Sequence, residues 1–309
     1  MNKNFFEKYL EITKPILDDL KKLDTFYENL FCSFADEKIS SVLKKFLSHK
    51  GKQLRPVMIF LLMHALKRSG EDFYYNLALS NELLHNATLI HDDIIDCSLL
   101  RRGQKTLNLE YDSKLAVLAG DYLLSEVLKI FSQIDDEQIR TLHTDTISNL
   151  ISGELFQYFH RFKLLSIDEY IEKSKNKTAR LFEAGLVSTY LYKNKDDKFV
   201  ENVRNFALNF GIGFQIDNDL KSVENAVKVS EDIKNGDYGA PVIFYSQEYP
   251  VESVKTTENL LNLLKNSAAI EKTIALKNKY INMAIENLEF IEDNQYKDSI
   301  LKLCKLYTE

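Results

Sequence analysis

Between Leu89 and Gly103 the chain reads LIHDDIIDCSLLRRG. Three aspartates, Asp92, Asp93 and Asp96, sit among leucines and isoleucines, and Arg101 and Arg102 follow within a few residues. An unpaired carboxylate in apolar surroundings is costly, so a partner, a metal or water must neutralise these groups. Asp92 and Asp96 are one helical turn apart and can reach one cation or two adjacent cations. Hard carboxylate oxygens suit Mg²⁺, which takes one or two carboxylates and leaves its other positions to water and phosphate. Lys52, Arg55, Arg101 and Arg102 are then available for phosphate oxygens, arginine by its two-pronged geometry and lysine as a point charge.

A helix must carry this chemistry. At 3.6 residues per turn, Asn81, His85, Thr88, Asp92 and Asp96 form one stripe, while Leu83, Ile90 and Ile94 fall opposite. An amphipathic surface helix would also show a polar stripe. This one holds no Lys, Arg or Glu, only short groups able to bind metal or accept protons, and Leu89 and Ile95 border it. That composition predicts the wall of a polar cavity.

The rest of the chain predicts an all-α fold in one large domain, residues 1–309. Its 309 residues are 45% hydrophobic and include only 10 glycines and 4 prolines. So few helix breakers argue for long helices, and no convincing alternating strand pattern or linker interrupts them. The net charge of −6 has both signs interspersed, which leaves no footprint for nucleic acid. YKNKDDK (Tyr192 to Lys198) reads as solvated loop or helix end. Cys32, Cys97 and Cys304 are widely spaced and lack a CxxC pair, which fits a reducing compartment without structural zinc; each is expected to be a small buried hydrophobe. The N-terminus MNKNFFEKYLEITKPIL has no signal-peptide core. PVMIFLLMHAL (Pro56 to Leu66) is far short of the roughly 20 residues of a membrane span. A cytoplasmic protein without a transmembrane segment is expected.

Seven segments in order resemble the trans-isoprenyl diphosphate synthases, or polyprenyl synthetases: GKQLRP, ELLHNATLIHDDIID, RRG, GDYLL, GELFQ, KTARLFEAG and FGIGFQIDND. The segment before the aspartates looks most like that of long-chain, octaprenyl-type members. The resemblance implies the isoprenoid synthase fold, a bundle of antiparallel helices around a deep central cavity, usually as a homodimer. It implies head-to-tail condensation of an allylic diphosphate with isopentenyl diphosphate, with Mg²⁺ as cofactor. By motif, Asp92 and Asp96 would bind Mg²⁺ on the allylic side with Asp93 supporting. Lys52, Arg55, His85 and Arg102 would hold isopentenyl diphosphate, and Arg101 and Lys177 the allylic diphosphate. Thr178 and Gln215 would offer oxygen dipoles along the path of the cation. Glu154 and Gln157 read as helix-end residues outside the site.

The pattern breaks at the second aspartate motif. Where the family carries a second DDxxD, this chain has Asn218, Asp219, Leu220, Lys221 and Ser222. Asp219 and Asn218 are the weak remaining metal candidates, with Asp217, off the stripe, and Glu224 nearby. Asp232 and Pro241 of the following loop are kept, but the family's lysine is replaced by Asp237. An active synthase is therefore weighed against a non-catalytic or regulatory subunit pairing with a related chain, a shorter-chain farnesyl or geranylgeranyl synthase and, more remotely, a cyclase on the same scaffold. Ala87 and Thr88, five and four positions before Asp92, are small. The resemblance makes these positions part of the floor beneath the growing tail, which predicts a product longer than farnesyl diphosphate. Phe131, Phe156 and Phe159 are alternative floor residues.

Overall fold

The computed structural model describes residues 3–34, 36–194, 197–223, 232–249, 263, 264 and 266–308. Glu224 and the start of SEDIKNGDYGAP (Ser230 and Glu231) lie outside the described residues. Among the described residues the fold is all-α apart from one hairpin with two-residue strands, and the chain groups into two compact units.

The first unit comprises residues 1–141 with 188–194 and 293–300. It contains α1 (Lys3–Thr13), α2 (Leu17–Ser33), α3 (Glu37–Ser48), α4 (Leu54–Ala65), α5 (Asp72–Ile95), α6 (Leu107–Glu110) and α7 (Ser113–Ser132). Local chemistry explains several starts. Asp36 accepts from Lys38 N at 2.7 Å at the head of α3, and Asp112 accepts from Leu115 N at 2.7 Å at the head of α7, satisfying amide groups that a helix leaves orphaned. Pro56 stands in the first turn of α4, where its missing N–H costs nothing. The apolar run that begins there is buried on all sides from Val57 to Met63, as expected of a helix that is hydrophobic all round.

RRG departs from the expectation of no strands. Leu100–Arg101 and Gln104–Lys105 pair antiparallel, with Leu100 opposite Lys105 and Arg101 opposite Gln104. Arg102 (φ 52°) and Gly103 (φ 78°) are both left-handed at the turn, the backbone a two-residue hairpin loop with right-handed strand twist requires. Glycine takes that conformation without steric cost.

The second unit comprises residues 142–187, 195–292 and 301–309. α8 (Glu137–Phe159), from Leu142 on, is followed by α9 (Ile167–Ser174), a wide π-type turn (Lys175–Ala179), α10 (Arg180–Leu191), to Val187, and α11 (Val200–Val223). Beyond these lie α12 (Ala240–Ser246), α13 (Ala269–Glu286) and, from Leu301, the end of α14 (Gln295–Lys305). Ser166 and Glu169 close a reciprocal capping box at α9. Tyr170, Ile212, Ile216, Tyr238, Ile243 and Ala269 belong to the buried core here. Gly211 makes this packing geometrically feasible: a Cβ there would come within 2.5 Å of Ala179 Cα, so α11 and the π-type turn approach closely only because the side chain is absent.

Three expectations need correction. Cys32 and Cys97 are exposed and only Cys304 is buried. YKNKDDK is not simply solvated: Tyr192 stacks on Phe73 with centroids 3.6 Å apart, and Lys193 pairs with Glu71, while Lys195 and Asp196 are outside the described residues. Phe159 is 69% exposed and so cannot floor an enclosed space within its own unit.

No helix among the described residues is long and apolar enough to cross a membrane.

Candidate active site

The acidic stripe lies at the C-terminal end of α5. Asp92 and Asp96 are half-buried, and the Asp96 N–H donates to the Asp92 carbonyl at 2.8 Å as the helix closes. Asp93 points elsewhere. It is 1% exposed, and its Oδ1 accepts from Arg101 Nε at 2.9 Å and also from Nη2. Burial pushes its carboxyl up, and the hydrogen bond and charge of Arg101 offset that rise. The hairpin thus returns Arg101 beneath the helix as the partner of the one aspartate that leaves the stripe.

A second set of groups in the first unit surrounds Arg55, at the start of α4. Arg55 is only 8% exposed, and burial lowers its pKa to about 10, with Glu82 opposing the fall and Arg102 adding to it. Glu82 is 4% exposed; burial raises its carboxyl while Arg55 and then Arg102 pull it back. His85, one turn on from Glu82, is held well below its ordinary value by burial and by Arg55, Arg102 and Arg101. It is therefore a neutral imidazole, able to donate one N–H but adding no charge. Thr88, also on the stripe, donates its hydroxyl to the His85 carbonyl at 2.8 Å.

In the second unit the π-type turn presents Lys177 and Thr178; such bulges often mark functional sites. Lys177 pairs with Glu154 at 2.5 Å and donates to Gln157 Oε1 at 3.4 Å. Thr178 Oγ1 donates to Gln215 Oε1 at 2.9 Å, and Gln215 Nε2 donates to Asp219 Oδ1 at 2.9 Å. Asp219 Oδ2 also accepts from Tyr170 at 2.7 Å and from Ala240 N at 3.0 Å. Burial raises the Asp219 carboxyl, with Tyr170 and Lys173 working against the shift. Ser222 donates to Asp232 Oδ2 at 2.7 Å. Lys173 pairs with Asp237 at 2.9 Å; burial alone would raise Asp237, but Lys173 and Lys177 together bring it below its ordinary value. Asn218 is half-buried on the same helix. Lys173, Lys177, Thr178, Gln215, Asp219 and Asp237, but not Asn218, border a pocket of about 110 Å³. Asp217 faces away from it, toward Lys277 at 3.5 Å and Lys221, so it does not replace the missing second-motif carboxylates.

Within the first unit the structure brings Arg55, His85 and Arg102 together around Glu82, and within the second Lys177, Thr178, Gln215 and Asp219. Glu82, Lys173, Glu154 and Gln157 are additional members. Of these, Glu154 and Gln157 had a sequence signal: they lie one turn apart on α8, and both meet Lys177.

Among the described residues no three carboxylate, histidine or cysteine groups gather to hold a metal on their own. Two carboxylates one turn apart, with oxygen donors only, still fit a hard cation that keeps water and phosphate in its shell.

The helical architecture is that of the isoprenoid synthases. It matches heptaprenyl diphosphate synthase from Staphylococcus aureus with a TM-score of 0.87 and 25% identity, over 95% of this chain and 98% of that one. A polyprenyl synthase from Caulobacter crescentus, solved with calcium and isoprenyl diphosphate, matches with a TM-score of 0.87 and 22% identity over 98% and 97% of the two chains. The decaprenyl-diphosphate synthase of Dictyostelium discoideum is 30% identical over 87% of this chain and 62% of its own length. The family model for polyprenyl synthetases matches residues 36–277. The chain belongs to the polyprenyl synthetase family, a family of prenyltransferases, and its relatives include long-chain synthases.

Proposed function

We propose that the chain is a Mg²⁺-dependent synthase that joins isopentenyl diphosphate head-to-tail to an allylic diphosphate and builds a long all-trans polyprenyl diphosphate. The observation that carries this reading is the first unit's pairing of an intact acidic stripe, Asp92 and Asp96, with the buried guanidinium of Arg55, the neutral imidazole of His85 and the exposed Arg102. The family match runs through residues of both units, which supports their acting as one domain.

Asp92 and Asp96 would hold Mg²⁺, which when bound neutralises charge on the departing diphosphate. Arg101, anchored by Asp93, and Lys177 would orient the allylic diphosphate. As the allylic C–O bond breaks, its electron pair leaves with the diphosphate, and fixed cations stabilise that charge most in the transition state. The alkene electrons of isopentenyl diphosphate then form the new C–C bond, and loss of a proton restores a double bond. Lys52, Arg55, Arg102 and neutral His85 would hold the isopentenyl diphosphate. Oxygen dipoles of Thr178 and Gln215 would face the cationic carbon. Ala87 and Thr88 are small residues below Asp92 on α5 and would leave room for a tail longer than fifteen carbons. The working form in this reading is a cytoplasmic homodimer.

One set of contacts favours a second reading. Asp219 is engaged by three protein donors, and Asp237 pairs with Lys173 where the family carries a lysine. A subunit that modulates an active relative would tolerate such a second half-site. Incubating the purified chain with farnesyl and isopentenyl diphosphates plus Mg²⁺, then sizing the products, separates the two. Elongation beyond twenty carbons by the chain alone supports the synthase. Release of only the fifteen- or twenty-carbon product defeats the long-chain reading, and no elongation until a related chain is added supports the subunit.

A further inference from the structure

The helix α1 lies wholly before the residues matched by the family model, yet two of its side chains reach the loop that carries Lys52. Tyr9 is buried, and its hydroxyl donates to the Lys52 carbonyl at 2.5 Å, a link across 43 positions. The Phe5 ring stacks on that of Tyr9, 6.2 Å between centroids and 12° between planes. The Lys52 ammonium sits 4.2 Å from the centroid of Phe5, within the range where a ring face attracts a cation.

The next residue explains why such a brace is useful. Gln53 is left-handed, with φ 49°, a conformation that a side chain bearing a Cβ adopts only when surroundings impose it. Tyr9 grips the peptide group joining Lys52 to Gln53, at the point where the chain must bend before α4 and Arg55. Phe5 acts on the other end of the same residue.

We infer that α1 is a positioning element of the isopentenyl diphosphate half-site, with Tyr9 holding the backbone of Lys52 and Phe5 its ammonium. This rests on the assignment of Lys52 to isopentenyl diphosphate under the proposed function. The helix therefore sets affinity for that substrate and leaves the allylic diphosphate and the ionisation step unaffected.

The test uses the full chain and measures Kd for isopentenyl diphosphate by titration calorimetry, KM for each substrate, kcat and Tm. Tyr9→Phe, which removes one hydrogen bond, is expected to raise Kd and KM for isopentenyl diphosphate about fivefold. Phe5→Leu should raise them about threefold, and Phe5→Trp, which keeps a ring face, should restore them. KM for farnesyl diphosphate and kcat should stay within about twofold of the parent protein, because neither variant removes a charge that acts on ionisation. Unchanged affinity for isopentenyl diphosphate, or equal movement of both substrates, overturns the inference. If Tyr9→Phe does not fold, the Phe5→Leu and Phe5→Trp pair decides alone. Lys52→Ala separates this failure from failure of the underlying reading. If it leaves isopentenyl diphosphate binding intact, the assignment of Lys52 is wrong; if it weakens binding while the α1 variants do not, only the role of α1 is wrong.

Discussion

The carboxylates of the two units have different partners. In the first, Asp92 and Asp96 stand half-buried on one face of α5, and the aspartate between them turns inward to Arg101. In the second, Asp219 accepts from Tyr170, Gln215 and Ala240 N, Asp237 pairs with Lys173, and Asp217 pairs with Lys277. A carboxylate whose lone pairs already serve protein donors is a poorer ligand for a metal, since binding must first break those bonds. The second unit uses its acids to hold α9, α11 and the start of α12 together, whereas Asp92 and Asp96 share one edge of α5, one turn apart, in the spacing that suits a hard cation.

The sharpest way to break this comparison is to remove one charge from each side. Asp92→Asn should lower kcat at least about a hundredfold, the scale of losing one group that stabilises transition-state charge, with little change in Tm. Asp219→Asn should cost less than about tenfold, because an amide oxygen can still accept from Tyr170 and Ala240 N. Asp219→Ala removes all three hydrogen bonds and should lower stability by about 2 kcal/mol or more. Steady-state kinetics with denaturant unfolding reads both quantities. If Asp219→Asn is as inactive as Asp92→Asn, Asp219 is a working metal ligand and the contrast between the units collapses.

The parts of this picture that were legible in sequence share a cause. The α5 stripe could be read because it is local: a 3.6-residue period with short oxygen-bearing groups on one side declares both the helix and its chemistry. Gln215 and Asp219 follow the same logic on α11. The hairpin at Arg101 was hidden because two-residue strands carry no alternation to detect. Glu82 was hidden for a different reason. Its meaning comes from Arg55 on α4 and Arg102 on the hairpin, and nothing in its own helix announces either. The Lys173–Asp237 pair spans 64 positions and the Tyr9–Lys52 bond 43; such tertiary pairings have no signature in sequence. Cys32 and Cys97 show the limit of residue averages, since a type that is usually buried is exposed at both positions.

Acid stability sharpens the comparison through two histidines, one in each unit. His143 in α8 is fully buried, which lowers its pKa to about 3, and His85 is held well below its ordinary value. Both stay neutral in the fold while the unfolded chain takes up protons near pH 6.5. Their contribution to stability is thus complete above that pH and lost as pH falls through it, by about 1.4 kcal/mol per unit for each histidine. Unfolding free energy should fall between pH 7.5 and 5.5, and His143→Gln should flatten the slope by one histidine's share. An unchanged slope would mean that His143 gains a proton in the folded protein as readily as in the unfolded chain.

The smallest expected effect asks whether the second unit can be moved back toward the family pattern. Asn218 is half-buried on α11, and a carboxylate there would not have to give up the hydrogen bonds that engage Asp219. Asn218→Asp should lower the Mg²⁺ concentration for half-maximal rate by about two- to fivefold, a fraction of what a full ligand contributes, because Ser222 remains neutral and Asp232 still accepts from it. Asn218 is only half-buried, so a carboxylate there keeps part of its hydration and the same variant should leave Tm nearly unchanged. Rates titrated against Mg²⁺ at fixed substrate give the answer. A shift toward higher Mg²⁺ would mean that the second unit's cations serve the diphosphate directly, and that another carboxylate there competes with the substrate rather than recruiting a metal for it.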